Sequence, residues 1–224
     1  MKPTVKLAET LTPDGARLTL YEHDGEFCIR VGQEELMHSS HSLSELMLGE
    51  LATEELTTHA NPTVLIGGLG LGYTLRAVLE KLSPDAKVQV AELMPAVVEW
   101  NRKFLSGLNG KLLDDPRVEV IVADVWEVIA RAGRSHYDAM MLDIDNGPDG
   151  LVQKQNTRLY QQDGLRRIAA ALKMGGRATI WSAWLDHGFM ERLTDAGFVV
   201  RTVPAKLYPH AKRCAYTLFV ADKL

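Results

Sequence analysis

Asp143 and Asp145 stand two residues apart at the end of the apolar run Tyr137–Leu142. In an extended chain that spacing turns both carboxylates to one side. Such a pair can hold an ammonium group, or share a proton and act as a base, one carboxyl raising the pKa of the other. The turn formers that follow, Asn146-Gly147-Pro148-Asp149-Gly150, fit a plain polar turn as well.

The run Val64-Leu65-Ile66 ends in Gly67, Gly68, Gly70 and Gly72 and passes directly into a helical pattern. A strand that ends in glycines and opens a helix presents backbone N–H groups and a positive helix end, where nucleotide-type ligands bind. Tight helix packing is the other use of such a turn. The next β-prone run ends in Glu92, whose carboxylate beside the loop can accept from both hydroxyls of a ribose. Asp124 closes a third run and opens a helix, so it reads both as an N-cap and as an acceptor for an adenine amino group. Trp181 and Trp184 flank a fifth strand end, as pocket walls or as packing residues.

Other chemistries find no support. Gly68, Gly70 and Gly72 are evenly spaced and miss the Gly-x-Gly-x-x-Gly pattern of nicotinamide enzymes. His38 and His41 have no third ligand nearby, and Cys28 and Cys214 are far apart, so no metal is expected. There is no serine nucleophile elbow and no lysine-bearing phosphate loop. A net charge of −4 gives no reason to expect nucleic acid as a partner, which leaves small molecules. The N-terminus lacks the apolar core of a signal peptide and no run is long enough for a membrane span, so the expectation is a cytoplasmic protein.

The elements that must position these residues follow from periodicity. Strands are expected at 63–66, 87–91, 118–122, 137–142, 177–181, 198–203 and 215–221, with helices at 73–82, 95–105, 125–132, 159–172 and 187–196. Their alternation predicts an α/β fold, a doubly wound, mostly parallel seven-stranded sheet. The last connection is too short for a crossover helix, so the final strand should be antiparallel. Before this come a hairpin, 17–21 and 27–31 around Asp24-Gly25, and a helix over 43–56 with Ser42 and Glu45 as a capping box. The division is therefore residues 1–60, a β-appendage with its helix, and 61–224, a nucleoside-binding catalytic domain.

In motif order from about residue 17 to 182, the chain resembles the spermidine synthase (polyamine aminopropyltransferase) family, which implies that the sheet is of the methyltransferase-like Rossmann type. The resemblance rests on Val64-Leu65-Ile66-Gly67-Gly68 with Thr74-Leu75-Arg76, Glu92-Leu93-Met94-Pro95-Ala96-Val97-Val98-Glu99, Asp115-Pro116-Arg117-Val118 with Asp124, Tyr137 to Asp143, Leu159-Tyr160 and Gly175-Gly176. It implies that the glycine loop holds the tail of S-adenosylmethionine or its decarboxylated form, Glu92 the ribose, and Asp124 with Val125 the adenine. Asp143 would receive an amine, with Asp145 beside it and Gln33, Asn146, Tyr160 and Trp181 lining the substrate side. It also implies a homodimer.

Three positions depart from the family. Its Gly-Gly-Gly-Asp-Gly-Gly loop reads Leu69-Gly70-Leu71 here, its Tyr-His-Glu reads Leu43-Ser44-Glu45, and its second loop aspartate is Asn146 or is displaced to Asp145. An uncharged loop suits the carboxylate of an intact methionine tail, so small-molecule methyl transfer stands as an alternative, as does a non-catalytic nucleoside-binding module.

Overall fold

The computed structural model describes residues 3–144, 156–208 and 210–224. The chain opens with β1 (Val5–Leu11), β2 (Arg17–His23), β3 (Glu26–Val31) and β4 (Glu34–His38), an antiparallel meander in that order. The expected hairpin is there: His23 pairs with Glu26, and Asp24 and Gly25 take φ values of 53° and 84°, the two left-handed positions that a two-residue turn of this twist requires. The outer strands β1 and β4 were not expected. Their residues form neither an unbroken apolar run nor a strict alternation, and they exist by pairing with β2 and β3 rather than by local pattern.

Next comes α1 (Leu43–Thr53), without the expected capping box. Ser42 is itself helical at φ −89°, ψ −2° and its side chain caps nothing, while the Glu45 carboxylate accepts the Ser44 hydroxyl at 2.7 Å. The first turn of this helix is packed inside the molecule, so Glu45 turns inward instead of back to Ser42.

Alternation then follows: β5 (Thr63–Gly67), α2 (Tyr73–Lys81), β6 (Lys87–Glu92), α3 (Pro95–Lys103), α4 (Ser106–Asn109), β7 (Val118–Val122), α5 (Val125–Ala132) and β8 (Tyr137–Leu142). After these come α6 (Gln162–Ala171), β9 (Leu172–Ser182), α7 (His187–Asp195), β10 (Phe198–Ala205) and β11 (Tyr216–Lys223). The second sheet has the order β10-β11-β9-β8-β5-β6-β7, with β11 antiparallel to both neighbours and the rest of the ladder from β9 to β7 parallel. The seven-stranded doubly wound sheet and its antiparallel last strand are as expected. The single helix expected over 159–172 is not. A 3₁₀ turn at Asn156–Tyr160 precedes α6, and a Cβ on Gly164 would lie 2.2 Å from the Leu159 carbonyl, so the chain bends tightly where only glycine fits.

Central strands are buried on both faces, as parallel sheets require. On one face Leu65, Met140, Ile180 and Phe219 pack with Val128, Leu165, Ile168 and Phe189 of α5, α6 and α7. On the other, Val64, Ile66, Met141 and Leu218 pack with Leu48 of α1 and with Leu75 and Val78 of α2. Leu18, Leu20 and Ile29 of the first sheet join this second cluster, which presses the meander onto the main sheet. The chain winds outward from β5 through β6 to β7 and then returns to β8 on the other side of β5. That reversal opens a crevice at the carboxyl ends of β5 and β8. Among the described residues no helix is long and apolar enough to cross a membrane.

Candidate functional site

The crevice is a cavity of about 940 Å³, counting the solvent at its mouth. Its floor is the glycine loop after β5. Gly68 has φ +90°, and a Cβ there would stand 2.3 Å from the Asp143 carbonyl oxygen, so no other residue allows β8 to approach the loop this closely. Gly70 has φ +50° and lies under Met37, whose sulfur would be 2.5 Å from an added Cβ.

The loop is not the open N–H cradle that its glycines suggest. The N–H of Gly68 donates to the Ala91 carbonyl and that of Gly72 to the Leu69 carbonyl, both at 2.9 Å. Leu69 donates at 2.8 Å to Glu92 Oε2, while Glu92 Oε1 accepts the Met94 N–H at 2.7 Å. Burial raises the Glu92 carboxyl above its ordinary range, against the lowering effect of these N–H bonds. The loop carbonyls are held from behind: Asn101 Nδ2 donates to Gly70 at 2.9 Å and Asn109 Nδ2 to Leu71 at 2.5 Å. Neither asparagine was anticipated. With the N–H groups of Gly68, Leu69 and Gly72 committed, the loop offers a phosphate or carboxylate fewer donors than its glycines suggest.

Asp124 caps α5, its Oδ1 accepting the Trp126 N–H at 2.8 Å, and Oδ2 accepts from Arg158 at 2.6 Å. The Arg158 and Arg167 guanidinium groups lie 5.0 and 4.9 Å from the Trp126 ring centroid, a cation–π arrangement that holds Arg158 in place. Both readings of Asp124 survive, since it caps the helix and also lines the cavity beside Val125.

Asp143 follows β8, its N–H donating to the Gly67 carbonyl at 3.0 Å, and it faces the cavity. Burial holds its carboxyl well above the usual carboxylate range, and the charge of Glu45 adds to the effect. Glu45 is itself raised by burial, against the lowering effect of its Ser44 hydrogen bond. Neither acid has an ion pair with a described residue. Sequence reasoning missed Glu45 because Ser42 and Glu45 stand at capping-box spacing.

Of the residues singled out by sequence, the cavity brings together Gly68, Gly70, Glu92, Asp124, Val125 and Asp143. Gly67 and Gly72 do not line it. An added Cβ on Gly67 would meet Val125 at 2.9 Å and one on Gly72 would meet Asn101 at 3.1 Å, so both are packing glycines. Gln33 is exposed in the Gly32-Gln33 turn, where the two-residue loop points its side chain outward, and Leu36 and Met37 face the cavity instead. Tyr160 is buried, with its ring edge-on to Phe189 at 5.6 Å. Trp181 packs on Tyr216 at 4.7 Å, outside the cavity lining. Asp145 and Asn146, with the stretch from Gly147 to Gly150, lie outside the described residues.

Among the described residues, every ionisable group that lines the cavity is an acid: Glu92, Asp124 and Asp143. The remaining wall is mostly apolar, Leu18, Ile29, Leu36 and Met37 coming from the first sheet and Leu93, Met94, Val97 and Ile144 from the main domain. An apolar chamber with carboxylates and no lining cation favours a positively charged, partly apolar ligand.

Comparison with known proteins agrees with this geometry. The profile of the Spermine/spermidine synthase domain matches residues 41–197. A polyamine aminopropyltransferase of Aeropyrum pernix is 29% identical over 72% of this chain and 48% of its own length. Another, of Bacillus subtilis, is 40% identical over 54% of this chain and 41% of its own. The chain thus spans less than half the length of these relatives. A crystal structure of spermidine synthase from Thermotoga maritima superposes with a TM-score of 0.75 at 21% identity, over 98% of this chain and 73% of that one.

Proposed function

The chain belongs to the Spermine/spermidine synthase domain family, and from that premise we propose that it transfers an aminopropyl group from decarboxylated S-adenosylmethionine to a small amine. The observation that carries the choice of donor is the charge of the cavity, whose ionisable lining groups among the described residues are Glu92, Asp124 and Asp143. The decarboxylated donor is a dication, sulfonium and ammonium, and meets acids throughout. The intact donor would bring a carboxylate into the same acidic chamber, where neither a side-chain cation nor an open loop N–H of Gly68, Leu69 or Gly72 awaits it.

In this reading Glu92 holds the ribose, Asp124 and Val125 the adenine edge, and the apolar side chains of the first sheet cover the thioether region. The bound donor supplies a carbon made electrophilic by its sulfonium. Asp143 orients the acceptor amine and takes up the proton that must leave before its nitrogen can attack. The raised carboxyl suits this role, because a base with a pKa nearer neutrality both accepts and returns a proton readily. Asp145 stands as its neighbour in sequence. The molecule works as a cytoplasmic homodimer, the exposed Val5 and Leu11 of the edge strand β1 being suited to pairing.

Leu69, in the position of a loop acid, is what favours methyl transfer from the intact donor as a second reading. Calorimetric titration with both donors separates the two. Tighter binding of the decarboxylated form, followed by labelled aminopropyl transfer to a small amine, is the expected result. Tighter binding of the intact form with transfer of its methyl group would replace it with the second reading.

A further inference from the structure

Glu45 is an acid without a structural employment. The expected capping box does not form, and Glu45 has no ion pair with a described residue; its carboxylate is met by the hydroxyl of the adjacent, buried Ser44 and by its own backbone N–H. Several other charged clusters among the described residues are paired. Arg177 serves Glu54, Glu55 and Asp222, Arg158 serves Asp124, and Lys173 serves Asp138. An enclosed carboxylate that no cation offsets is costly to keep, and a ligand cation is one thing that repays it.

Its position says which cation. The Glu45 carbonyl accepts from Thr74 Oγ1 at 3.2 Å, which fastens the first turn of α1 to the first turn of α2, directly after the glycine loop. Asp143 is fastened to the same unit from the opposite side, through its N–H to Gly67 and the close approach of its carbonyl to Gly68. The two acids therefore flank one loop, whose own side chains, Leu69 and Leu71, are uncharged. The charge of Glu45 is also felt at Tyr73 of α2, whose ring carries the Arg76 guanidinium on its face at 5.1 Å, and at Tyr216 of β11, where the charge of Glu35 acts as well.

We propose that Glu45 is the donor-selecting residue: its carboxylate receives the ammonium of the aminopropyl tail, a charge that the glycine loop cannot meet, and leaves Asp143 for the acceptor amine. This rests on the aminopropyl-transfer reading. The ammonium takes no part in bond changes. A nitrogen–carbon bond forms to the acceptor, the carbon–sulfur pair returns to sulfur as a neutral thioether, and the acceptor's proton goes to Asp143.

Binding alone tests it. Affinities for the decarboxylated donor, the intact donor and tail-less 5′-methylthioadenosine are measured by calorimetry for the wild type, Glu45→Gln and Glu45→Asp. Glu45→Gln should weaken the decarboxylated donor by about tenfold to a hundredfold, the loss of one charge-assisted hydrogen bond. It should leave methylthioadenosine within about twofold, and Glu45→Asp should recover part of the loss. If Glu45→Gln weakened all three ligands equally, or kept the wild-type preference for the decarboxylated donor, the assignment would be wrong while the aminopropyl reading stood. If the wild type itself preferred the intact donor, both would fall.

Discussion

Glu92 and Leu69 are joined across the mouth of the crevice by a 2.8 Å hydrogen bond from the loop N–H to a buried carboxylate. The strand-tip acid thus holds the glycine loop in shape as well as lining the cavity. The second carboxylate oxygen holds Met94 at the start of α3, so one side chain sets the spacing between the loop and the helix that follows the next strand.

Glu92→Gln follows from this. Burial raises the Glu92 carboxyl despite its N–H partners, so losing the charge relieves about as much as losing one hydrogen bond costs. Global stability should change by less than about 1 kcal/mol. The amide NH₂, however, must face either the Leu69 or the Met94 N–H, and the loop shifts. Methylthioadenosine affinity should fall more than about tenfold in calorimetry. Unchanged affinity would remove Glu92 from the site.

The two asparagines behind the loop make the opposite case. Asn101 and Asn109 touch carbonyls, and Asn109 is itself fixed by Arg76 Nη1 at 3.0 Å. Asn109→Ala leaves the Leu71 carbonyl and the Arg76 guanidinium without this partner, at about 1–3 kcal/mol in urea unfolding. Nucleoside affinity should fall with it, because the loop loses its backing.

Two glycines with nearly the same backbone separate strain from crowding. Gly25, at φ +84°, has nothing within 4 Å of an added Cβ, whereas Gly68, at φ +90°, has the Asp143 carbonyl at 2.3 Å. Gly25→Ala should cost about 1–2 kcal/mol, the left-handed strain alone. Gly68→Ala must also push β8 from the loop and should cost several kcal/mol more, with loss of nucleoside binding. Equal costs by urea unfolding would mean that the tip of β8 yields freely.

What could be read from the sequence follows from where the determining forces act. β5 and β8 announce themselves because Val64-Leu65-Ile66 and Ala139-Met140-Met141-Leu142 are buried on both faces and must be apolar throughout. The strand-tip acids were legible for the same reason, since they stand where those runs stop. β1 and β4 were not, because Lys6, Glu9, Glu34 and Glu35 carry no such pattern and pairing alone makes them strands. Asn101 and Asn109 bond loop carbonyls 31 and 38 residues away, a distance that no local rule spans. Glu45 was hidden more actively. Its spacing from Ser42 satisfies a local rule, and tertiary packing overrides it by drawing the carboxylate inward beside Asp143.

That packing makes Asp143 a source of instability as well as of chemistry. Its carboxyl is held above the ordinary range by burial and by the Glu45 charge, so the folded state binds its proton more tightly than the unfolded chain does. The stability tied to that proton is complete below the unfolded carboxylate value and is lost as pH rises through the folded value. Asp143→Asn removes the dependence. In urea unfolding the variant should match the wild type in acid and exceed it at neutral pH. Glu45→Gln should give a smaller gain in the same direction, since it removes the charge that opposes Asp143. Aminopropyl turnover of Asp143→Asn should fall by about 10²–10⁴ as the general base is lost. A variant that was less stable than the wild type at neutral pH would show Asp143 to be a structural acid, and its place at the centre of the site would have to be given up.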